Sequence, residues 1–402
     1  MRTTVGIVGA GPAGLMLALL LQREGIDTVV LEARSRAHVE QRVRAGLMEQ
    51  WARDLMIEIG AGARLVREGL VHNGIRLSFD GRLHAIDFRR LVGRIVTIYD
   101  QKEVVKDLIG LLLARGGRIL FEAEAIGLGG LAGPAPVIRF RDGDAVRELV
   151  CDVVAGCDGF HGISRASIPD GVLTVYERGY PFGWLGILSE SPPPADELIY
   201  AAHDRGFALF SMRSPTLSRL YLQCAPDEDV SRWPDARIFD ELAARLGGSC
   251  PLARGRVLQK GVTSMRSVVV EPMQHGRLFL AGDAAHIQPP TGAKGMNLAF
   301  ADVVVLARAL AAWTRTGRTD ALDAYSRVCL DRVWKAQRFS WFMTQLLHRF
   351  PDETAFDRRR RQADLVDLVG SAAAATALAE NYSGLPLAAA ALEAAAPFSV
   401  SG

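Results

Sequence analysis

The apolar positions change their period early in the chain. Residues 3–8 form a short β-rich apolar run, residues 9–14 are interrupted by glycine, and residues 15–23 carry leucines and alanines in the pattern of a buried helix. Residues 28–31 supply a second apolar run, which ends on the acidic Glu32. Strand, glycine turn, helix, strand and acid, in that order, predict a βαβ dinucleotide-binding unit built on a parallel sheet.

Further along, residues 104–115 predict a helix, and residues 118–122, 137–141 and 150–155 predict strands. Between about 180 and 224 the pattern becomes one of short apolar runs, at 182–188, 198–201, 207–211 and 219–223, separated by Pro, Asp and Ser. This predicts an antiparallel β domain. One more strand at 278–281 and a helix at about 297–312 follow. The alanine-rich remainder, with residues 372–379 and 388–395, reads as helical. The fold expected is α/β (α+β): a Rossmann-like βαβ domain over residues 1–174, an antiparallel β domain over 175–266, and a returning segment with a helical C-terminal region over 267–402.

Composition narrows the choice of partners. The chain has 402 residues, 49% hydrophobic and 23% charged, which fits a globular protein of two or three units around one crevice. The net charge is only +2 and the one basic block is residues 358–361, so nucleic acid is not an expected partner. Cys151, Cys157, Cys224, Cys250 and Cys329 are scattered and form no CxxC pair, which predicts a reduced cytoplasmic protein with no metal site. Residues 5–22 are uncharged and follow Arg2 in imitation of a secretory signal, but glycine interrupts them too often. No other run approaches the ~20 apolar residues of a membrane span.

The glycine turn is Gly9-Ala10-Gly11-Pro12-Ala13-Gly14, a GxGxxG in the setting that lets a pyrophosphate approach the backbone at a helix N-terminus. Gly9, Gly11 and Gly14 with Glu32 fit FAD or NAD equally. Two later segments each place an aspartate beside glycine after a strand: Gly156-Cys157-Asp158-Gly159 and Ala281-Gly282-Asp283-Ala284-Ala285-His286. Either alone reads as an Asp-Gly turn. The three together resemble the class A flavin-dependent aromatic hydroxylases. The likeness continues through Arg42-Val43-Arg44-Ala45-Gly46 and residues 156–165, 180–186, 197–200, 271–283, 289–297 and 380–386, nearest to members acting on 4-hydroxybenzoate. It implies tightly bound, non-covalent FAD, NADPH or NADH as hydride donor, and dioxygen. The implied reaction is attack of a flavin C4a-hydroperoxide on a small aromatic acid, giving 3,4-dihydroxybenzoate.

The resemblance also assigns roles. Ser211, Arg213 and Tyr221 would hold the substrate carboxylate. A spacing of two puts Ser211 and Arg213 on one face of a strand, and an arginine with two hydroxyls makes a charge-assisted clamp; read alone, the arginine is a solvated side chain on an edge strand. Tyr200 and Tyr382 would relay the phenol proton to His72 as exit, with the Pro290 carbonyl facing the phenol. An unperturbed phenol titrates near ~10, so the site must favour its anion. Read singly, these are core tyrosines and a surface histidine.

Residues 289–297 precede a helix, so their N–H groups would face the flavin ring and stabilise its reduced form, with Asn297 and Arg219 assisting. Gly292 and Gly295 fit a mobile loop or ordinary turns. Asp283 would bind the ribityl chain, Gln101 would be a further cofactor contact, and Asp158 would serve both FAD and the nicotinamide nucleotide. Arg44, His161 and Arg266 would lie at the latter's pyrophosphate, with Arg42 and residues 34–38 at its adenosine end. Arg34 and Arg36 suit the 2′-phosphate of NADPH, while His38 keeps NADH open.

Leu47, Phe210, Met212, Gln288 and Met296 add bulk expected near the pocket, so 4-aminobenzoate stays beside 4-hydroxybenzoate as a substrate. A nonenzymatic FAD-fold binding protein is a third reading, and it needs neither clamp nor relay. A homodimer is implied, with residues 334–342 and the helices after 371 as candidate faces, although packing within one chain satisfies the same pattern.

Overall fold

The computed structural model describes residues 1–42 and 46–387. Arg2–Val8 lies at the centre of an eight-stranded sheet, parallel to Thr28–Leu31 on one side and Ala145–Gly156 on the other, so that Val8 registers with both Leu31 and Gly156. Arg118–Leu120 and Leu278–Leu280 extend the parallel part. Ala125–Gly129 and Val137–Asp142 add an antiparallel arm. The central strands read as continuous apolar runs because their side chains are buried: Val5, Ile7, Val30, Leu31 and Val153 are all in the core. Pro12–Arg23 packs against Gln101–Ala114 and Gly295–Thr316. Gly295–Thr316 is long and apolar enough to cross a bilayer, but 78% of its most apolar stretch is buried within the protein.

A second eight-stranded sheet runs in the order His286–Ile287, Arg256–Glu271, Thr174–Glu190, Leu217–Cys224, Ala208–Ser214, Ile199–Ala201, Gly74–Phe79 and Arg82–Asp87. It is antiparallel except where Ile199–Ala201 runs parallel to Gly74–Phe79. The sheet therefore takes strands from before and after residues 175–266. Strand alternation divides its middle into two faces. Leu185, Ile187, Phe210, Leu220 and Leu222 pack with the helix Asp235–Leu246, whereas Trp184, Tyr200 and Leu209 pack with Leu47, Phe339 and Tyr382 in a separate core. Phe339 and Tyr382 come from the helices Tyr325–Leu347 and Ala372–Ser383. Residues 388–395, expected to be helical, lie outside the described residues.

Candidate active site

Each glycine of the first turn has its own steric reason. Gly9 has φ +102, and a Cβ there would sit 2.5 Å from the Cys157 carbonyl oxygen. A Cβ on Gly14 would collide with the Gly9 carbonyl, so the helix can cross the strand closely only with glycine here. Gly11, at the mouth of the Pro12–Arg23 helix, faces open space: a Cβ there would meet no protein atom within 4 Å, and no side chain caps the helix. Free first-turn N–H groups beside open space are what a pyrophosphate needs. Glu32 accepts hydrogen bonds from Ala10 N–H at 2.8 Å and Arg34 N–H at 2.9 Å, which fixes its carboxylate at the edge of this cradle.

Asp158 closes the second segment. Its Oδ2 accepts from the N–H and hydroxyl of Ser164, both at 2.9 Å, while its buried Oδ1 has no donor. Burial raises its pKa despite those bonds. Asp283 is exposed, on a short turn where Gly282 has φ +63 and donates its N–H to Asp302 at 2.9 Å. Gln101 is the first residue of Gln101–Ala114 and is half-buried. Arg219 carries a buried Nη1 without a partner. The open cradle and the unpartnered Asp158 and Arg219 atoms fit a dinucleotide cofactor with a charged, hydroxylated chain.

The residues expected at the pocket lie on the face of the second sheet that packs with Phe339 and Tyr382. Tyr200 registers with Leu209, which registers with Tyr221, and Ser211 registers with Arg219, so all five share that face. Tyr200 and Tyr382 meet hydroxyl to hydroxyl at 2.5 Å. Burial raises the pKa of both, so both stay protonated at neutral pH. Trp184 lies between Tyr221 and Phe207, with ring centroids 5.0 and 5.1 Å away, and donates its indole N–H to His348 at 2.7 Å. Arg213 Nη1 donates to Ser211 Oγ at 3.3 Å, and Arg219 Nε to the Tyr221 hydroxyl at 3.4 Å.

A family model described as an FAD binding domain matches residues 2–340. The chain is 46% identical to the p-hydroxybenzoate hydroxylase of Acinetobacter baylyi over 96% of both chains. It belongs to the FAD-binding family of aromatic hydroxylases. The 6-methylpretetramide 4-monooxygenase of Streptomyces rimosus is 29% identical over 75% of this chain and 74% of its own. The crystal structure of p-nitrophenol 4-monooxygenase from Pseudomonas putida superposes with a TM-score of 0.80 at 18% identity, covering 96% of this chain and 99% of that one, and shows the shared fold.

Several of the hydroxylase's expected site residues sit differently from the sequence reading. His72, expected as the proton exit, is fully buried: its Nδ1 accepts from Leu198 N–H at 3.3 Å, and its Nε2 has no partner. It makes no direct hydrogen bond to either tyrosine among the described residues. Asn297 is spent within the protein, its Oδ1 accepting from Glu49 N–H at 2.9 Å and its Nδ2 donating to the Leu47 and Ala293 carbonyls at 3.0 and 3.1 Å. The Pro290 carbonyl already accepts from Ala293 N–H at 2.9 Å. Phe210 and Met212 alternate with Ser211 and point to the opposite face, so their bulk does not reach the pocket. Met296 packs into the parallel-sheet core, Gln288 is buried beside Gly295, and Leu47 alone of the five packs with Tyr200 and Tyr382.

On the nicotinamide side, Arg266 lies 4.6 Å from the centre of the Phe160 ring, and His161 stacks edge-on against that ring at 5.0 Å. Arg42 ends the short helix Arg36–Gln41, where Arg36 pairs with Glu40 at 2.7 Å. Arg44 lies outside the described residues.

Sequence reasoning missed two features of the hydroxylase. Lys294 is buried, donating to Glu49 at 2.5 Å and to the Tyr382 carbonyl at 2.9 Å, and Arg332 adds a second cation 3.5 Å from Glu49. A lysine inside an apolar glycine loop was the available signal. The other is Asp100, which pairs with Arg213 at 2.7 Å. Before a helix it reads as an ordinary cap, and nothing local points to an arginine so far along the chain.

Proposed function

We propose that this hydroxylase converts 4-hydroxybenzoate to 3,4-dihydroxybenzoate, using NADPH and dioxygen, and works as a cytoplasmic homodimer. The observation that carries the substrate is the pairing of two chemistries on one sheet face. Ser211, Arg213 and Tyr221 suit a carboxylate, and the Tyr200–Tyr382 hydroxyl pair suits a phenol. Tyr200 and Ser211 are one strand and two residues apart, about 8 Å at backbone level, a scale matched to one aromatic ring.

Gly9, Gly11, Gly14, Glu32, Gln101, Asp158 and Asp283 would hold FAD, which supplies the hydride acceptor and the oxygen-activating centre. Arg213 orients the ring by its carboxylate. Tyr200 hydrogen-bonds the phenol oxygen and passes its proton to Tyr382; because burial keeps both hydroxyls protonated, each can donate one proton as it receives another. Ionising the phenol sends electron density into its ortho carbon. The Lys294 ammonium, 5.8 Å from the centre of the Tyr382 ring, adds positive potential at that end. Buried Trp184, Phe207 and Leu209 keep water from the reacting ring. His161 and Arg266, with Arg44, would receive the nucleotide's pyrophosphate. For the dimer, Trp334 and Phe342 are exposed at 41% and 40%, and Trp334 packs edge-on against exposed Tyr176.

The test is consumption of NADPH and NADH by the FAD-loaded protein with and without 4-hydroxybenzoate, with 3,4-dihydroxybenzoate and hydrogen peroxide both quantified. Stimulated consumption matched by the catechol product is expected. Peroxide alone, or no stimulation, would show that the pocket belongs to another acid.

A further inference from the structure

Asp100 immediately precedes the helix Gln101–Ala114, where an aspartate ordinarily accepts hydrogen bonds from first-turn N–H groups. Its side chain makes no such bond. It turns to Arg213 instead: Oδ1 lies 2.7 Å from the guanidinium Nε, with side-chain exposures of 21% for Asp100 and 9% for Arg213. The contact is one of charge without hydrogen-bond alignment, and Oδ1 is buried with no donor aimed at it. Arg213 Nη1 donates meanwhile to Ser211 Oγ and the Met212 carbonyl. A carboxylate therefore already rests on the guanidinium that the proposed function gives to the substrate.

Two roles fit such a contact, with opposite consequences. A carboxylate that fixes an arginine in place is ordinarily held by aligned, often bidentate, hydrogen bonds. Asp100 leaves its own acceptor unsatisfied and its own helix without a side-chain cap, and both are unfavourable. A better-aligned carboxylate entering the pocket relieves both at once, by releasing Asp100 to its helix.

We propose that Asp100 is a specificity-determining residue, a built-in competitor that covers Arg213 in the empty pocket and returns to cap Gln101–Ala114 when the substrate carboxylate arrives. The proposal rests on reading Arg213 as the carboxylate clamp. Asp100 then holds down the preference for an anionic ligand over a neutral one of the same shape, because only the anion must displace it and meets its charge.

The test titrates the FAD-loaded wild type, Asp100→Asn, Asp100→Gly and Arg213→Gln with 4-hydroxybenzoate and with 4-hydroxybenzamide, followed by calorimetry and by the flavin absorbance change. Both Asp100 variants are expected to bind 4-hydroxybenzoate about tenfold tighter or more, with the benzamide little changed. Asparagine caps a helix as well as aspartate, so Asp100→Asn keeps the fold. If neither Asp100 variant binds the benzoate more tightly while Arg213→Gln loses it, Asp100 only positions the arginine: the proposal falls and the clamp stands. If Arg213→Gln keeps the benzoate affinity, the clamp itself falls and takes the proposal with it.

Discussion

Tyr200 and Tyr382, one on a sheet strand and one on the helix Ala372–Ser383, meet hydroxyl to hydroxyl at 2.5 Å with both side chains buried. Removing one hydroxyl leaves the other without this partner in a place water does not reach. Tyr200→Phe and Tyr382→Phe should each destabilise the protein by about 1–3 kcal/mol. The double variant should lose less than the sum of the two, measured as a double-mutant cycle by urea unfolding. In catalysis either single variant should lower hydroxylation at least about tenfold at neutral pH, and the residual rate should rise with pH toward ~10, where the phenol ionises unaided. A flat pH profile in both variants would remove the relay from the mechanism.

Gly11 and Gly14 separate cofactor binding from folding. A Cβ at Gly14 meets the Gly9 carbonyl, whereas one at Gly11 meets no protein atom within 4 Å. Gly14→Ala should therefore lower the melting temperature of the FAD-free protein. Gly11→Ala should leave that temperature unchanged and lose FAD on gel filtration, seen as the ratio of flavin to protein absorbance. Retention of FAD by Gly11→Ala would mean that the pyrophosphate does not pass over this turn.

The parallel sheet was legible because its strands are largely buried and read as short, mainly apolar runs, closed in turn by Gly9, Glu32 and Gly156: residues 3–8, 28–31 and 150–155 fall within Arg2–Val8, Thr28–Leu31 and Ala145–Gly156. The glycine turn was legible because its chemistry is local. Alternation from Ser211 turns Phe210 and Met212 to the opposite face, but the register shifts between Met212 and Ser214, so spacing alone does not place Arg213; its guanidinium reaches Ser211 Oγ at 3.3 Å from that irregular position. What sequence could not convey were meetings across the fold. Residues 74–87 join the second sheet through one parallel pairing, and Asp100 finds Arg213. His72 is buried between exposed Val71 and Asn73, so no neighbour in sequence reveals its surroundings.

The buried histidines give the stability a specific pH dependence. Burial lowers the pKa of His72 to about 4 and that of His348 to about 3, below the ordinary 6.5. His348 accepts from the Trp184 indole on Nε2 and faces the Thr344 carbonyl with Nδ1 at 3.1 Å, which defines its neutral tautomer. A folded pKa below the unfolded one means that the unfolded chain binds more protons in between, so stability rises with pH there. The contribution is complete above about 6.5 and is lost as pH falls toward 4, on the order of 3 kcal/mol for His72. His72→Gln should flatten the dependence of urea unfolding on pH between 6.5 and 4, and His348→Gln should flatten it separately. An unchanged slope in His72→Gln would place its titration elsewhere.

The buried pair Lys294–Glu49 tests how the loop ahead of Gly295–Thr316 is held. Glu49 accepts from Lys294 at 2.5 Å and from the Trp51 indole at 2.5 Å, and Arg332 lies 3.5 Å away, so one carboxylate is shared by two cations. Burial, with a smaller push from the Arg332 charge, lowers the pKa of Lys294, and Glu49 opposes that shift. Glu49→Gln removes the counter-charge and leaves the ammonium buried, which should cost about 3–5 kcal/mol in urea unfolding. Glu49→Gln with Lys294→Met removes both charges together and should recover much of that loss, since breaking a buried pair costs more than replacing it with apolar volume. If the double variant is no more stable than Glu49→Gln alone, Arg332 and the Trp51 bond, rather than the Lys294 pair, dominate the local energetics. In that case Arg332→Met in the Glu49→Gln background should restore the stability that Lys294→Met does not.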